Sequence, residues 1–274
     1  MSEKVVLIEE NEDKTITTIK MNRPDKKNAI NFDMLVGLND AFDKIERTNT
    51  RVVIITGGDD IFSAGIDLNF LTGQEKDPEG KIPDLRIPRN FRYFANTFIQ
   101  PVLSKLEKME KPVIADIRGY CFGLGFELAL ACDFRFALES SIFSMLETKI
   151  GMNPDVGGSI RLTRLVGIPN AKDIALTGRR FDGKEAYRLG VVNRFASTAE
   201  ELNSIIKMYT DELIDSAPLA VGLTKKLIDD CYGKDIAFGN ELETLISSQL
   251  LQTKDAVSGA LARLQKTKPK WKWK

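Results

Sequence analysis

Residues 111–158, KPVIADIRGYCFGLGFELALACDFRFALESSIFSMLETKIGMNPDVGG, place a single acidic residue inside the most apolar run of the chain. Every residue over 121–132 is apolar or glycine except Glu127. An ionised carboxylate in such surroundings loses several kcal/mol of hydration free energy unless it is paired, hydrogen-bonded or protonated. We therefore expect Glu127 to have a partner and a perturbed pKa.

Two glycine-containing turns indicate where backbone N–H groups are exposed. Gly123 and Gly125 lie between the extended apolar run 112–117 and a helical segment, which predicts a tight strand-to-helix turn. A second turn, SAGID at 63–67, follows a predicted buried strand. Two N–H donors that converge on one oxygen would form an oxyanion hole, whereas each turn alone could simply join a strand to a helix. The dinucleotide-binding pattern G-x-G-x-x-G is incomplete, because Leu128 occupies its last position.

Composition excludes several kinds of catalytic chemistry. The 274 residues include 39 Lys and Arg, 39 Asp and Glu, and no histidine. The absence of histidine removes Ser-His-Asp and Cys-His nucleophiles and the commonest zinc ligands. The three cysteines have no C-x-x-C spacing, which argues against a zinc site or a disulfide framework. The chemistry must therefore use carboxylates, lysines, tyrosines or backbone donors.

Charge and hydropathy bear on partners and location. The formal net charge is zero, so nothing in the overall balance calls for nucleic acid or an anionic membrane. No apolar run approaches the ~18 residues of a membrane span, and the N-terminus MSEKVVLIEE is too charged for a signal peptide. We expect a globular cytoplasmic protein. The lysine-rich tail KTKPKWKWK (266–274) is expected to be solvated or to contact a neighbouring subunit.

The rest of the chain mixes strand and helix patterns. Residues 5–9 and 15–20 predict a hairpin, and a helix over 33–47 followed by a buried strand over 51–56 predicts a crossover unit. The further predictions, in chain order, are a helix starting near 67, a polar surface loop over 73–88, a helix over 90–109, a strand over 111–117, helices over 159–166 and 171–176, a helix over 181–189 with an Asp182–Glu185 capping box and Gly190 after it, a strand over 191–195, and helices from 198 onward.

Several separated motifs together resemble the crotonase superfamily, the enoyl-CoA hydratase/isomerase group. They are NRPDKKNAI, SAGIDL, KPVIADIRGYCFGLGFELALACDFRFA, GMNPDVGGSIRLTRLVG and ALTGRRFDGKEAYRLGVVNRF, in the family's order and at plausible spacings. The resemblance covers nearly the whole chain. It is highly specific for the superfamily and much less specific for the reaction.

The resemblance implies an α/β fold, a crotonase-like spiral of ββα units with two roughly perpendicular sheets and a helical C-terminal region. Residues 1–197 would form the spiral core with the CoA and catalytic site, and residues 198–274 a helical trimerisation region. It further implies an acyl-CoA thioester substrate and a homotrimer, or a hexamer built as a dimer of trimers. Coenzyme A is part of the substrate, so we expect no separate cofactor and no metal.

By the same resemblance, the oxyanion-hole donors are the N–H groups of Ile66 and Leu124, where Leu124 replaces the family's usual glycine. The two carboxylates of hydratases fall on Glu127 and Glu147. Asp155 occupies a position at which some isomerases of the family carry a catalytic acid, although Pro154-Asp155 could equally be ordinary turn chemistry.

The CoA and substrate contacts implied by the resemblance lie in two segments: Lys26, Lys27 and Ala29 in the first, and Ala64, Gly65, Asp67, Leu68 and Asn69 in the second. Lysines near the phosphates are plausible point-charge partners, but both lysines could also be solvated. The C-terminal end departs from the family, since Arg263 replaces a usual phenylalanine and Thr267 a usual arginine. Contacts from that end with the adenine are therefore not assigned.

The expected function is that of an enoyl-CoA hydratase (a hydro-lyase), which adds water across the 2,3 double bond of a 2-enoyl-CoA. The alternative is a Δ3,5-Δ2,4-dienoyl-CoA isomerase, or another enoyl-CoA isomerase, that uses Asp155. A third hypothesis from a different class is a non-catalytic acyl-CoA or RNA-binding homologue, which the intact pair of glutamates and the neutral charge disfavour.

Overall fold

The computed structural model describes residues 4–75 and 80–273. Its strands are β1 (Val6–Glu10), β2 (Ile16–Met21), β3 (Val52–Thr56), β4 (Val113–Ile117), β5 (Tyr120–Phe122), β6 (Phe134–Leu138), β7 (Ile142–Ser144), β8 (Phe181–Asp182) and β9 (Arg194–Ala196). Its α-helices are α1 (Phe32–Glu46), α2 (Leu68–Leu71), α3 (Pro88–Phe94), α4 (Gln100–Lys108), α5 (Gly123–Leu130), α6 (Gly158–Thr177), α7 (Gly183–Leu189), α8 (Ala199–Asp215), α9 (Pro218–Cys231), α10 (Ile236–Leu250) and α11 (Lys254–Gln265).

The strands form two sheets. In the larger sheet the order is β1-β2-β3-β4-β6-β9, and in the smaller sheet it is β5-β7-β8. Strand β1 is antiparallel to β2, which confirms the predicted hairpin, and the remaining pairs of the larger sheet are parallel. The parallel strands are connected through helices, as parallel pairing requires. The α/β class and its two sheets are therefore as predicted.

Helix α1 confirms the pattern from which it was predicted. Its side chains Met34, Leu35, Leu38, Phe42 and Ile45 are all buried. The Asn31 side chain caps its start by accepting a hydrogen bond from the N–H of Met34 at 3.1 Å.

The helix predicted over 90–109 is present but interrupted. Helices α3 and α4 are joined by a π-helical turn, Ala95–Ile99, after which the N–H of Gln100 donates to the carbonyl of Ala95. Pro101 follows immediately and has no N–H to offer to the regular i to i−4 ladder. The π turn sets how α4 is rotated about its own axis. It therefore also sets the direction of the Gln100 side chain, since Gln100 is the first residue of α4.

Several short strands were missed by the sequence analysis. Strand β5 lies between β4 and α5, so the helix that carries Glu127 follows a strand of the smaller sheet and not the run 112–117 directly. Strands of two or three residues are too short to show alternation. Strand β6 is longer, but Arg135 interrupts its apolar sequence pattern. This buried cation donates from its Nε to the carbonyl of Val191 at 2.8 Å.

Three local predictions around residues 158–196 have different outcomes. The two helices predicted over 159–166 and 171–176 are both present: they are numbered together as α6, but Gly167 interrupts it with the non-helical angles φ of 74° and ψ of 167°. The capping box before α7 is half formed: Asp182 accepts from the N–H of Glu185 at 2.7 Å, but the Glu185 carboxylate binds Arg179 instead of returning to the backbone. The strand predicted over 191–195 begins later, as β9, because the N–H groups of Val191 and Val192 close the end of α7.

The C-terminal helices differ in how they meet the rest of the chain. Helix α8 covers one face of the larger sheet and buries Leu202 and Ile206 against it, whereas α10 contains no buried residue. Large apolar side chains are exposed on α9 to α11, namely Ile228, Ile236, Phe238, Leu245, Val257, Leu261 and Leu264. No helix in the described ranges is long and apolar enough to pass through a membrane.

The lysine side chains of the C-terminal tail at 266, 268, 270 and 272 are exposed, as predicted for a solvated tail, but the tail also binds its own chain. The carboxylate of the buried Asp255 accepts hydrogen bonds from the N–H groups of Lys272 at 2.7 Å and Trp273 at 2.9 Å. The Arg51 guanidinium lies over the Trp273 ring, 5.7 Å from its centroid. The described end of the tail, through residue 273, is therefore docked on its own chain through backbone donors and indole rings, which the lysine-rich composition concealed.

Candidate active site

Three chain segments run side by side next to the two glycine turns of the predicted oxyanion hole: residues 27–30, residues 63–67 and strand β5. Residues 27–30 pair with residues 64–67, as the N–H of Ala64 donates to the carbonyl of Lys27 at 2.9 Å and the N–H of Ile30 donates to the carbonyl of Gly65 at 2.8 Å. Ser63 in turn bridges to Cys121 of β5 in the parallel sense. These pairings bring SAGID next to the start of α5, although the two segments are about 60 residues apart in sequence.

Two glycines allow the predicted oxyanion donors to approach each other. Gly65 has φ of +95°, and a Cβ built on it would lie 2.9 Å from the carbonyl oxygen of Phe122 and 3.6 Å from the Cα of Gly123. Ile66 and Leu124 are the next residues after these two glycines. Within the described part of the chain, the N–H of Ile66 makes no backbone hydrogen bond, and Leu124 lies in the first turn of α5, where helix N–H groups have no internal partner.

The environment of Glu127 explains how a carboxyl group can exist in an apolar run. Helix α5 is buried along its whole length, and Glu127 is 1% exposed. Its Oε1 accepts hydrogen bonds from the N–H of Val156 at 3.0 Å and from that of Gly158 at 2.8 Å. Burial, followed by repulsion from Glu147 and Asp155, nevertheless raises the pKa of Glu127 to about 8. The predicted perturbation and partner are thus both found.

Glu147 is the second buried acid, at the start of a 3₁₀ turn, Glu147–Ile150. Among the described residues its Oε2 is buried without a hydrogen-bond partner. Burial and repulsion from Asp155 raise its pKa to about 7. A Cβ on Gly123 would lie 3.1 Å from Oε1 of Glu147, so this carboxyl group borders the turn that exposes the Leu124 N–H.

Asp155 lies in the loop that supplies the donors to Glu127. Its side chain is half-buried, and burial raises its pKa. Its charge acts on both glutamates. The structure therefore brings the three acids predicted from sequence into one cluster, and Glu147 places this cluster next to the turn at Gly123.

The residues predicted to bind CoA lie on two neighbouring segments, 26–29 and 64–69, which we call the rim. Lys26 ends a short 3₁₀ turn, and Lys27, with φ of +53°, follows it; both side chains are exposed. Leu68 and Asn69 begin α2 and are exposed on the second segment. Ala29, Ala64 and Gly65 lie in the paired backbone between them. The fold thus places both predicted segments side by side, with their lysines available to solvent or ligand.

Sequence reasoning missed the residues that hold this rim together. Arg23 donates to the carbonyl of Ala29 at 2.6 Å and forms an ion pair with Asp67 at 3.1 Å. Asn28, buried and with φ of +52°, donates to the carbonyls of Gly57 and Ile61. An asparagine between a proline-initiated turn and an apolar residue is the one local signal that could have indicated a left-handed position. Asp67 is therefore engaged in structure as well as placed at the rim.

An aromatic cluster lies between α1 and the helices that follow the polar loop. The ring centroids of Phe32 and Phe98 are 5.7 Å apart, and those of Phe94 and Phe98 are 5.2 Å apart. Phe70, from α2, contacts Phe94 at 6.1 Å. The surface loop predicted over 73–88 is only partly within the described residues, since 76–79 lie outside them; the described part contains a buried leucine, Leu85.

The pH dependence of stability should reveal the cost of burying Glu127. A carboxyl group that ionises near pH 4.5 when unfolded and near pH 8 when folded contributes stability that is complete below pH 4.5 and is lost as the pH rises through 8. Glu127→Gln does not titrate. We compare the melting temperature of the variant with that of the parent at each pH. The difference, variant minus parent, should be larger at pH 8.5 than at pH 5, by an amount that corresponds to about 2–5 kcal/mol in the free energy of unfolding. Thermal melts at both pH values test this, with the exposed Glu241→Gln as control; an equal difference at both would contradict it.

The arrangement of the site indicates a class of enzyme. Two backbone donors at glycine turns next to a cluster of mutually repelling acids suit an enzyme that holds a carbonyl oxygen and moves protons beside it.

Comparison with known proteins identifies the family. Residues 11–274 match the sequence model described as enoyl-CoA hydratase/isomerase, so the chain belongs to that family. It is 35% identical over 259 residues to the probable enoyl-CoA hydratase 2, mitochondrial, of Arabidopsis thaliana, and the alignment covers 94% of this chain and 81% of that protein. It is 36% identical over 266 residues to the carnitinyl-CoA dehydratase of Salmonella arizonae, which covers 94% and 95% respectively. The crystal structure of an enoyl-CoA hydratase from Bacillus anthracis superposes with a TM-score of 0.88 at 30% identity, covering 98% of this chain and 100% of that one.

Proposed function

We propose that this protein hydrates a 2-enoyl-CoA thioester. The observation that carries the proposal is the pair of buried acids, Glu127 and Glu147, whose pKa values are raised to about 8 and about 7. Because two interacting acids lose their protons in two separate steps, such a pair passes through a state with one proton and one charge. Addition of water needs one acceptor and one donor of a proton, which is the state that this pair provides.

Each glutamate has a distinct part in the proposed reaction. The thioester oxygen accepts from the N–H groups of Ile66 and Leu124, which favours flow of the C2=C3 π electrons toward an enolate. One glutamate, in its ionised form, takes a proton from water as the water oxygen bonds to C3. The other, in its protonated form, gives its proton to C2 as the carbonyl re-forms. The proton then passes from the first glutamate back to the second, so one water is added per turnover.

The direct test is incubation with crotonyl-CoA while the absorbance of the conjugated enoyl thioester is followed. The proposal requires loss of that absorbance and formation of a 3-hydroxyacyl-CoA product. No change with crotonyl-CoA, combined with isomerisation of a Δ3,5-dienoyl-CoA, would replace hydration by isomerisation. Because a relative is named carnitinyl-CoA dehydratase, and removal of water is the reverse of hydration, carnitinyl-CoA belongs in the same substrate panel.

One observation favours the isomerase alternative, namely the position of Asp155 beside both glutamates. We therefore predict the outcome of Asp155→Asn. If the enzyme is a hydratase, removal of this charge lowers the pKa of Glu127, and hydration stays within about tenfold of the parent. If Asp155 shuttles a proton along a dienoyl chain, the variant loses isomerisation by about 10²-fold or more. Initial rates on both substrates, with the exposed Asp230→Asn as control, separate the two reactions.

We also propose that residues 198–274 assemble the protein as a homotrimer, or as a hexamer formed from two trimers. The support is the row of exposed apolar side chains on α9 to α11, which a monomer would leave in water. Static light scattering on the full chain tests this, and a monomer at micromolar concentration would refute it.

The cytoplasmic location and the contacts of Lys26 and Lys27 with CoA phosphates stay predictions.

A further inference from the structure

The peptide group between Asp155 and Val156 is hydrogen-bonded on both of its edges. Its N–H donates to Oε1 of Glu127 at 3.0 Å. Its C=O accepts from Nε2 of Gln100 at 2.7 Å. Hydrogen bonds arranged in series polarise one another and become stronger. The Gln100 amide therefore acts, through one peptide group, on a donor that holds Glu127.

The position of Gln100 is a product of the π turn. It is the first residue of α4, directly after Ala95–Ile99, and its side chain is half-buried. An inserted π residue rotates the rest of a helix by roughly 100° relative to an uninterrupted one. A regular helix over the same sequence would point Gln100 away from the loop that carries Asp155. Single-turn π bulges of this kind occur frequently at functional sites.

A second anchor holds the next carbonyl of the same loop. Nη1 of Arg161 donates to the carbonyl of Val156 at 2.7 Å. The guanidinium is fixed by two hydrogen bonds from Nε and Nη2 to the carboxylate of Glu107, at 2.7 and 2.6 Å. A Cβ on Gly157 would lie 2.3 Å from Nη1 of Arg161, so glycine is needed for this approach. Glu107 lies on α4 seven residues after Gln100, about two turns along the same face.

Two residues of helix α4 thus hold consecutive carbonyls of the loop whose N–H groups bind Glu127. Gln100 binds the first carbonyl directly, and Glu107 fixes the Arg161 side chain that binds the second. The titratable groups that act on Glu127 itself are Glu147 and Asp155. Gln100 is uncharged and carries its effect through hydrogen bonding alone.

We propose that Gln100 is a positioning residue for Glu127, which keeps the Asp155–Val156 peptide group oriented so that its N–H stays on the carboxylate during proton transfer, while Arg161 holds the following carbonyl. This inference rests on the proposed role of Glu127 in hydration. It assigns a reaction-related role to a residue that reaches Glu127 through one peptide group.

The test is Gln100→Met, which keeps the length of the side chain and removes the donor. We expect kcat for crotonyl-CoA hydration to fall about tenfold, the size of effect of one lost hydrogen bond, while KM stays within about twofold. We also expect the pKa of Glu127 to rise, because ionised Glu127 loses part of the stabilisation supplied by the Val156 N–H. That pKa is measured directly by ¹³C NMR of carboxyl-labelled protein, with the Glu127 signal assigned by its absence in Glu127→Gln.

Lys105→Met is the matched control, because Lys105 lies on the same helix and binds Asn39 and Asp43 on α1, away from the loop. If Gln100→Met does not fold, Gln100→Leu is measured in its place, since it is also uncharged and cannot donate. Equal losses of kcat in Gln100→Met and Lys105→Met, or an unchanged Glu127 pKa, would overturn the inference. A raised Glu127 pKa in a protein that hydrates no acyl-CoA would uphold the positioning and refute the proposed function instead.

Discussion

Glu127→Gln or Glu147→Gln is expected to lower kcat for hydration of a 2-enoyl-CoA by about 10²–10⁴-fold. Glutamine is nearly isosteric with glutamate, and at position 127 its side-chain oxygen can still accept from the N–H groups of Val156 and Gly158. The fold is therefore retained while the exchangeable proton is lost. Steady-state kinetics on crotonyl-CoA, with melting curves to confirm folding, provide the measurement.

Two further comparisons sharpen this result. The double variant should be no more than slightly slower than the worse single variant, since both glutamates act in one proton-transfer unit and their losses do not add. The exposed Glu241→Gln is the matched control and should keep the parental kcat. If both single variants retained every measured activity, a non-catalytic acyl-CoA or RNA-binding protein would become the better interpretation.

Replacing the Leu124 N–H by an ester oxygen is expected to lower kcat by about 10²–10³-fold, the usual cost of one oxyanion-hole donor. Incorporation of the α-hydroxy analogue of leucine changes this one backbone group and leaves the side chain in place. A side-chain variant at this position would test something else, because the proposed contact uses only the backbone.

The control for this experiment is the same substitution at Leu130, at the other end of α5. There the ester removes a hydrogen bond internal to the helix and is expected to reduce stability more than kcat. A larger loss of kcat at Leu124 than at Leu130, at equal folded fraction, supports the oxyanion hole. Equal losses at both positions would assign the effect to helix α5 as a structural element.

The two glutamates show where sequence information was sufficient and where it was not. Glu127 could be singled out from local composition alone, because an acid among eleven apolar or glycine residues needs an explanation. Glu147 stands in SMLETKIG, a segment that by itself is typical of a solvated loop. Only the family resemblance indicated it, since its burial is produced by elements distant in sequence.

The supporting residues could not have been found from sequence. Gln100, Arg161 and Arg23 are ordinary polar residues in helical or loop segments, and their significance lies in the group that each one reaches. The carbonyl bound by Gln100 is 55 residues away, the carboxylate of Asp67 is 44 residues from Arg23, and the carboxylate of Glu107 is 54 residues from Arg161. The short strands β5, β7 and β8 were equally invisible, because two or three residues cannot show a periodic pattern.

The amino-acid sequence alone was enough to predict the first strand–helix–strand unit, the amphipathic helices, the two glycine turns and the anomalous acid, since each depends on spacing or composition within a short stretch. The α/β class as a whole was implied by the resemblance of several separated motifs to a known family. Tertiary structure decided which donors meet Glu127, how close the three acids lie, how the π turn aims Gln100, and that the C-terminal tail docks on its own chain. The physical reason is that hydrogen-bond partners and pKa values are set by distance and burial in three dimensions. An apolar run can predict that a carboxyl group needs partners, and only the packed chain shows that they are the N–H groups of Val156 and Gly158.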